Sequence, residues 1–362
     1  MKLAFVINSL GSGGAERLIL DLCKEFLKKG IAPDVITLTD RDDVYSQEFR
    51  ELGICVINLS HRTSLYSPFF IAALVRVLAP YDIVHVHLFP AQYWVALASM
   101  ILPKRIRFIT TEHCSENKRR KHTSLRLLDK VMYGRYEKIV AISETARTNL
   151  QQWCGDEIGA RIQVITNGIE LNRFRNAELC SRDEFDLMET DVVLLMVAAF
   201  RAEKDHATVV RAMEHLPPHF HLLFVGDGPL RESLRELVER FDLKDRVHFL
   251  GYRKDVPGLM KMADVGILSS SSEGVPLTIL EMMASGLPVI GSRVYGIEEL
   301  VPGAGLMFDF QNSQELAACV VKMMEDSELR DKLVSKGAER VELYSSVHLA
   351  YNYMLIYSGN SR

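Results

Sequence analysis

The 362-residue sequence contains no apolar run of the roughly 18 residues needed to span a bilayer. Arg76 interrupts the best early stretch, 69–78, and the stretch 94–102 is too short. Nor is a secretory leader expected, because Met1 runs straight into an apolar strand at 3–7. These absences favour a soluble or peripheral protein in the cytoplasm. Six cysteines (Cys23, Cys55, Cys114, Cys154, Cys180, Cys319) form no Cys-x-x-Cys pair. Their spacing supports neither a zinc site nor a disulfide framework, which fits a reducing compartment. The glycine cluster after the first strand is not the dinucleotide fingerprint Gly-x-Gly-x-x-Gly, and no Walker Gly-Lys-Ser/Thr follows it. A large charge of one sign is also missing. The net charge of −4 is far from the basic balance of a nucleic-acid binder, so no nucleic-acid partner is expected.

What is present is ordinary for a soluble globular protein, with 48% hydrophobic and 25% charged residues. The length suits two domains, each able to bury its own core. The charge is unevenly spread: residues 1–170 carry a net +4 and the remainder −8. The basic excess is densest between Lys104 and Arg147, and an anionic surface or acceptor is its natural partner.

Strand and helix signals alternate through both halves. Apolar runs of strand length lie at 3–7, 34–39, 55–59, 83–88, 106–111, 138–142 and 162–166. Amphipathic helical stretches between them include 15–29, 68–79, 91–101 and 123–135. The second half repeats the pattern, with strands at 192–199, 221–225, 247–250, 265–269, 288–291 and 305–308. Its helices are expected at 204–215, 229–240, 256–263, 276–285 and 313–326. Such alternation implies βαβ units and parallel sheets covered on both faces. The polar, weakly periodic stretch 171–190 reads as a linker between a domain at 1–170 and one at 191–345. The last helix, about 346–362, is expected to return to the first domain. In open α/β sheets the ligand crevice lies at the strand C-termini, so a cleft between two such domains is the default site.

Four motifs fall at strand ends. Gly11-Ser12-Gly13-Gly14-Ala15-Glu16-Arg17 opens a helix after the first strand. Glycines there let the backbone approach a ligand, and a helix N-terminus offers N–H groups to an anion; a bare strand–helix turn would look the same. In the second half, Glu273-Gly274-Val275-Pro276-Leu277-Thr278-Ile279-Leu280-Glu281 follows an apolar strand. Pro276 suits a helix start, the amides of Leu277 and Thr278 suit a diphosphate, and carboxylates accept hydrogen bonds from sugar and ribose hydroxyls. Arg201 and Lys204, in Phe200-Arg201-Ala202-Glu203-Lys204-Asp205-His206, can neutralise an anion. Read alone, that run is also a plain solvated charge cluster. Gly226 and Gly228 in Val225-Gly226-Asp227-Gly228-Pro229 read as conformational, whereas Gly251-Tyr252 after the next strand is a candidate for contact with a base.

Together these motifs resemble the retaining glycosyltransferases of family four, glycosyl transferases group 1, over nearly the whole chain. Glu273 to Glu281 is similar to the family's Glu-x7-Glu motif, and Arg201 with Lys204 to its Arg-x-x-Lys pair. Asn167-Gly168-Ile169 resembles the segment that closes the first domain, and Gly13-Gly14 with Glu16 the first-strand loop. The resemblance implies the GT-B fold, two doubly wound Rossmann-like domains facing across a cleft. It implies that Glu273 holds hydroxyls of the donor sugar, Glu281 the ribose, and Arg201 with Lys204 the departing diphosphate. Gly14 would let the loop approach the diphosphate and the acceptor. His113, at the end of Thr110-Thr111-Glu112-His113, resembles the histidine that contacts the donor sugar, and Ser143 a position near the cleft.

His85 and His87 share one face of a strand. No third ligand accompanies them, so His87 is read as facing the acceptor and His85 as a satisfied core histidine. Asp40 and Asp42 form an Asp-x-Asp in a charged loop, and no metal or other cofactor is expected. The resemblance thus implies transfer of a sugar from a nucleotide diphosphate donor, UDP before GDP, to a hydroxyl with retention of configuration. A front-face route is implied, since no carboxylate is placed as a covalent nucleophile. The acceptor expected is a glycan or a lipid-linked species of cell-surface polysaccharide or glycolipid assembly. Alternatives on the same fold are a nucleotide-sugar epimerase or hydrolase, or a non-catalytic nucleotide-sugar binder. The basic stretch Asn117-Lys118-Arg119-Arg120-Lys121-His122 is either a solvated loop or a contact with an anionic membrane through Lys118–Lys121.

Overall fold

Near-continuous apolar runs pair into two parallel sheets in the computed structural model of the chain. The structure describes every residue except 12, 41–42, 62, 114–119, 121–122 and 360–362. Two units result: Met1–Gly168 with Ser346–Arg362, and Ile169–Ser345.

The first unit is built on β1 (Leu3–Ile7), β2 (Asp34–Thr39), β3 (Val56–Ser60), β4 (Ile83–His87), β5 (Arg107–Glu112), β6 (Lys138–Ala141) and β7 (Ile162–Val164). Their order is β3-β2-β1-β4-β5-β6-β7. Helices α1 (Gly14–Lys28), α2 (Ser46–Glu51), α3 (Phe69–Leu78), α4 (Ala91–Ala98), α5 (Arg126–Tyr133), α6 (Glu144–Cys154) and α7 (Asp156–Gly159) connect them. β1 is buried at every residue, as a central strand covered on both faces must be.

The second unit opens with α8 (Leu171–Arg175) and carries β8 (Val192–Val197), β9 (Phe220–Val225), β10 (Val247–Gly251), β11 (Val265–Leu268), β12 (Val289–Ser292) and β13 (Leu306–Phe308). Its order is β10-β9-β8-β11-β12-β13. Between and after the strands run α9 (His206–Ala212), α10 (Arg231–Arg240), α11 (Val256–Met262), α12 (Leu277–Ser285), α13 (Ile297–Leu300), α14 (Ser313–Glu325) and α15 (Ser327–Val341). The closing helix α16 (Ser346–Tyr357) belongs to the first unit. There Leu349, Ala350, Tyr353, Ile356 and Tyr357 share a core with Phe5, Leu22 and Phe26. Strand order reverses at β1/β4 and again at β8/β11, so loops diverge there and leave room for a ligand in each unit.

One boundary differs from the sequence reading. The stretch 171–190 is not a free connector but part of the second unit. Leu171, Phe174, Phe185 and Leu187 are buried in its core beside Leu259 and Val341. Two short apolar pairs, Leu171 with Phe174 and Phe185 with Leu187, dock it, and each pair is too brief to produce a periodic signal. Ser12 of the glycine motif, Asp42 of the Asp-x-Asp, Cys114, and the basic stretch apart from Arg120 lie outside the described residues. Among the described residues no helix is long and apolar enough to cross a membrane.

Candidate functional site

In the second unit, β8 and β11 are neighbours, so the loops that follow them meet at the sheet's C-terminal edge. Phe200, fully buried, anchors the first loop against His206, whose ring lies 4.7 Å away and edge-on. Burial also depresses the His206 pKa to about 4. The second loop is stitched to the first by serines. The Ser269 hydroxyl donates to the carbonyls of Lys204 (2.9 Å) and Asp205 (3.0 Å). The Ser271 amide donates to the carbonyl of Glu203 at 2.8 Å.

This lacing brings Lys204 Nζ to within 2.5 Å of Glu273 Oε1, and the Ser270 hydroxyl donates to the same oxygen at 2.5 Å. The two charged side chains are only 24% and 13% exposed, so the pair is poorly screened. Ser270 is itself held, because its carbonyl accepts from the Ser292 hydroxyl at 2.6 Å. Arg201, by contrast, is 65% exposed, with Glu203 4.0 Å away as its nearest acid. It stands as an open cation one loop residue beyond Phe200.

Glu273 and Gly274 lead directly into α12. Pro276 is its N-cap residue and no side chain caps the helix, so the amides of Leu277 and Thr278 present the positive end of the helix dipole. Glu281 follows one turn later, at i+3 from Thr278 and i+4 from Leu277, so all three share a face. Tyr252, after β10, is 64% exposed. Lys204 and Glu273 thus touch. Gly274, Leu277, Thr278 and Glu281 belong to the loop and helix that begin at Glu273. Arg201 and Tyr252 lie on other loops of the same sheet edge.

Sequence reasoning missed Ser269, Ser270, Ser271 and Gly296. Four consecutive serines between an apolar strand and Glu273 were the available signal for the first three. Gly296 has φ +84°, and a Cβ there would run into the carbonyls of Glu273 and Gly274. It lets the loop after β12 press against the one carrying Glu273.

In the first unit, Gly13 is the N-cap of α1 and Gly14 its first residue. The Glu16 carboxyl folds back over the Cα of Gly13. Burial raises its pKa above the ordinary glutamate value. The positive end of α1 therefore already faces a carboxyl group of its own chain. Asn8 ties this loop to the one after β4, donating to the Phe89 carbonyl (2.8 Å) and accepting from the Ala91 amide (3.1 Å). His113 follows β5 and its Nε2 lies 2.9 Å from His87 Nδ1. Its pKa falls to about 4 through burial.

Three of the residues named from the sequence are buried in this unit. His87 is 0% exposed, so it cannot face an acceptor and contacts His113 instead. Ser143 is 2% exposed, and its hydroxyl accepts from the Ala146 amide at 3.1 Å, capping α6. Asn167 is 7% exposed, with Oδ1 buried and unpartnered among the described residues, so it points inward. Arg120 also turns inward, its side chain 10% exposed and 2.9 Å from Glu112, which removes it from the basic surface expected there.

Two family profiles match the chain. Residues 12–173 match Glycosyltransferase Family 4, and residues 181–340 match Glycosyl transferases group 1. The N-acetyl-alpha-D-glucosaminyl L-malate synthase of Bacillus anthracis is 28% identical over 284 residues, 76% of this chain and 74% of that protein. The O-antigen biosynthesis glycosyltransferase WclY of Escherichia coli is 26% identical over 327 residues, 87% of each chain. Among solved structures, Anabaena HepE in complex with UDP-glucose is similar with a TM-score of 0.84 at 22% identity, covering 99% of this chain and 100% of that one. That likeness shows the GT-B fold. The strand-end loops that hold Lys204 against Glu273 therefore sit on a known scaffold: the chain belongs to the group 1, family four glycosyltransferases and is a glycosyltransferase of the GT-B fold.

Proposed function

We propose that this enzyme moves a sugar from a UDP-sugar to a hydroxyl of a glycan or lipid-linked acceptor, with retention of configuration, in the assembly of cell-surface polysaccharide or glycolipid. The observation that carries the reading is the Glu273–Lys204–Ser270 cluster beside the uncapped start of α12. In this reading Glu273 is held in one orientation for sugar hydroxyls. Lys204 and Arg201 take up the charge of the departing diphosphate together with the amides of Leu277 and Thr278. Those two cations fill the role a divalent metal would otherwise take. Glu281 receives the ribose, Tyr252 the base, and His113 the donor sugar. Gly13 and Gly14 give the first unit a loop that a phosphate or an acceptor can approach. Rate enhancement would come from positioning and from stabilising the leaving group. The UDP choice is supported by the HepE complex with UDP-glucose, and the acceptor class by the O-antigen role named for WclY.

The test is product analysis with a panel of UDP- and GDP-sugars, with and without candidate acceptors and with EDTA. Transfer with a retained anomeric centre by NMR is expected, unaffected by the chelator. Lys204→Ala and Glu273→Ala should fold and lose nearly all transfer. Wild-type turnover in either variant refutes the site. Peripheral contact with an anionic membrane is part of the reading. It draws on α5, whose exposed Leu127, Leu128 and Val131 stand beside exposed Lys130, an apolar and basic combination suited to a lipid interface. No co-sedimentation with anionic vesicles at low salt would refute that part.

A further inference from the structure

Beneath His113 lies a buried polar network that the reading above leaves unused. His85 Nδ1 is 2.6 Å from the Tyr357 hydroxyl and His85 Nε2 is 2.8 Å from Thr111 Oγ1. Thr111 Oγ1 is in turn 3.1 Å from the Tyr353 hydroxyl. Both tyrosines come from α16, so the closing helix holds the His85 ring directly at Nδ1 and, by way of Thr111, at Nε2. The His87 ring packs on it, with centroids 4.3 Å apart, and Phe5 lies 5.6 Å from the same ring. His87 is thus wedged among rings, free neither to rotate nor to meet water.

Its hydrogen bonds are lopsided. His87 Nδ1 meets His113 Nε2 at 2.9 Å, while His87 Nε2 is buried with no partner among the described residues. Burial holds the ring neutral. A neutral imidazole carries one proton, on one nitrogen or the other. A proton on Nε2 would bury an orphan N–H donor, which folded proteins tolerate less often than an unfilled lone pair. The proton therefore belongs on Nδ1, where it is donated to His113 Nε2. His113 Nε2 is then an acceptor, and the single proton of neutral His113 is forced onto Nδ1.

We propose that His87 is a positioning residue that fixes His113 as its Nδ1–H tautomer, so that His113 meets the donor sugar as a hydrogen-bond donor. The role in transfer rests on the reading of His113 as a donor-sugar contact; the tautomer itself does not. The hydrogen bond made by one ring nitrogen sets which atom the other presents. Here that control comes from a neighbouring histidine rather than a carboxylate, so His113 is oriented without acquiring positive charge.

The experiment uses the full chain labelled with 15N-histidine, ligand-free at pH 7, with His113 assigned by difference against His113→Asn. His113 is expected to show the two-bond correlation pattern of the Nδ1–H tautomer. In His87→Phe, which keeps a ring but removes the donor, the pattern should move toward Nε2–H, and kcat/KM for the donor should fall about tenfold. His87→Asn, whose side-chain N–H overlays the lost Nδ1–H, should recover most of both. An Nε2–H tautomer in the wild-type chain overturns the proposal, whatever the variants do. So does His87→Phe with an unchanged His113 pattern and unchanged kcat/KM. Full transfer by His113→Ala would instead refute the donor-sugar contact while leaving the tautomer result standing.

Discussion

Gly296 offers a sharp test of how the Glu273 loop is held. At φ +84° and ψ −44°, outside the left-handed helical well, an L side chain is strained by about 1–3 kcal/mol before any contact is considered. An alanine Cβ would also lie 2.6 Å from the Glu273 carbonyl oxygen and 2.9 Å from its carbonyl carbon. The first distance is roughly 1 Å short of the 3.5–4.0 Å at which non-bonded atoms attract. Both neighbours are backbone, so the loop must retreat, and overpacking of this kind costs about 1–3 kcal/mol. The total expected for Gly296→Ala is about 2–6 kcal/mol of stability. Because Glu273 retreats with its backbone, kcat/KM should fall by about 10²-fold, the scale of a 1 Å misplacement. Gly286 is the control for positive φ in open space: it has φ +76° and ψ 16° in the left-handed region, caps the C-terminus of α12, and has nothing within 4 Å of its Cβ position. Gly286→Ala should cost only about 1–2 kcal/mol and leave kcat/KM intact. Urea denaturation and initial rates with a saturating acceptor measure both. If the two variants match in stability and rate, the steric argument is refuted.

Stability should also depend on pH in a defined window. Folded His85 is depressed to about 3, and His113 and His206 to about 4, all by burial. The unfolded chain, near pKa 6.5, takes up these protons first, so stability is fully present above pH 6.5 and drains as pH falls toward 4. A melting temperature flat from pH 7 to 4.5 contradicts this. Tyr357→Phe removes the hydroxyl bonded to His85 Nδ1 and leaves a buried nitrogen unpaired, a loss of about 1–3 kcal/mol readable by denaturation. Ser143→Ala should cost about 0.5–2 kcal/mol as a lost N-cap and leave donor KM unchanged. A selective rise in donor KM would return Ser143 to the binding site.

Much of the architecture was legible in order and type. The apolar runs at 3–7, 34–39 and 265–269 became β1, β2 and β11 within a residue or so of their expected bounds. Buried parallel strands must be apolar on both faces, and that pattern needs no tertiary information to read. Helix α15 escaped notice because little of it is buried: Leu333, Gly337 and Val341 are its buried residues and Leu329 is packed only in part, too sparse a stripe to see. At the site, the residue types of Glu273, Lys204 and Arg201 were visible because carboxylates and cations at strand ends carry chemistry. Ser270 and Gly296 were not, because their importance lies in what they touch, and those partners are distant in sequence.

The sequence by itself determined the alternation of strands and helices, the family, and the charged residues at the strand ends. Each of these is a property of local pattern. Tertiary structure alone decided that Lys204 and Glu273, 69 residues apart, share a hydrogen bond. It likewise decided that Ser143 is a helix cap and that Asn167 points inward. It also turned His87 from a surface candidate into a buried partner of His113, braced by a helix more than 250 residues away. Burial and hydrogen-bond partnership depend on which loops the sheet order makes neighbours, and a single chain read in order carries no record of that.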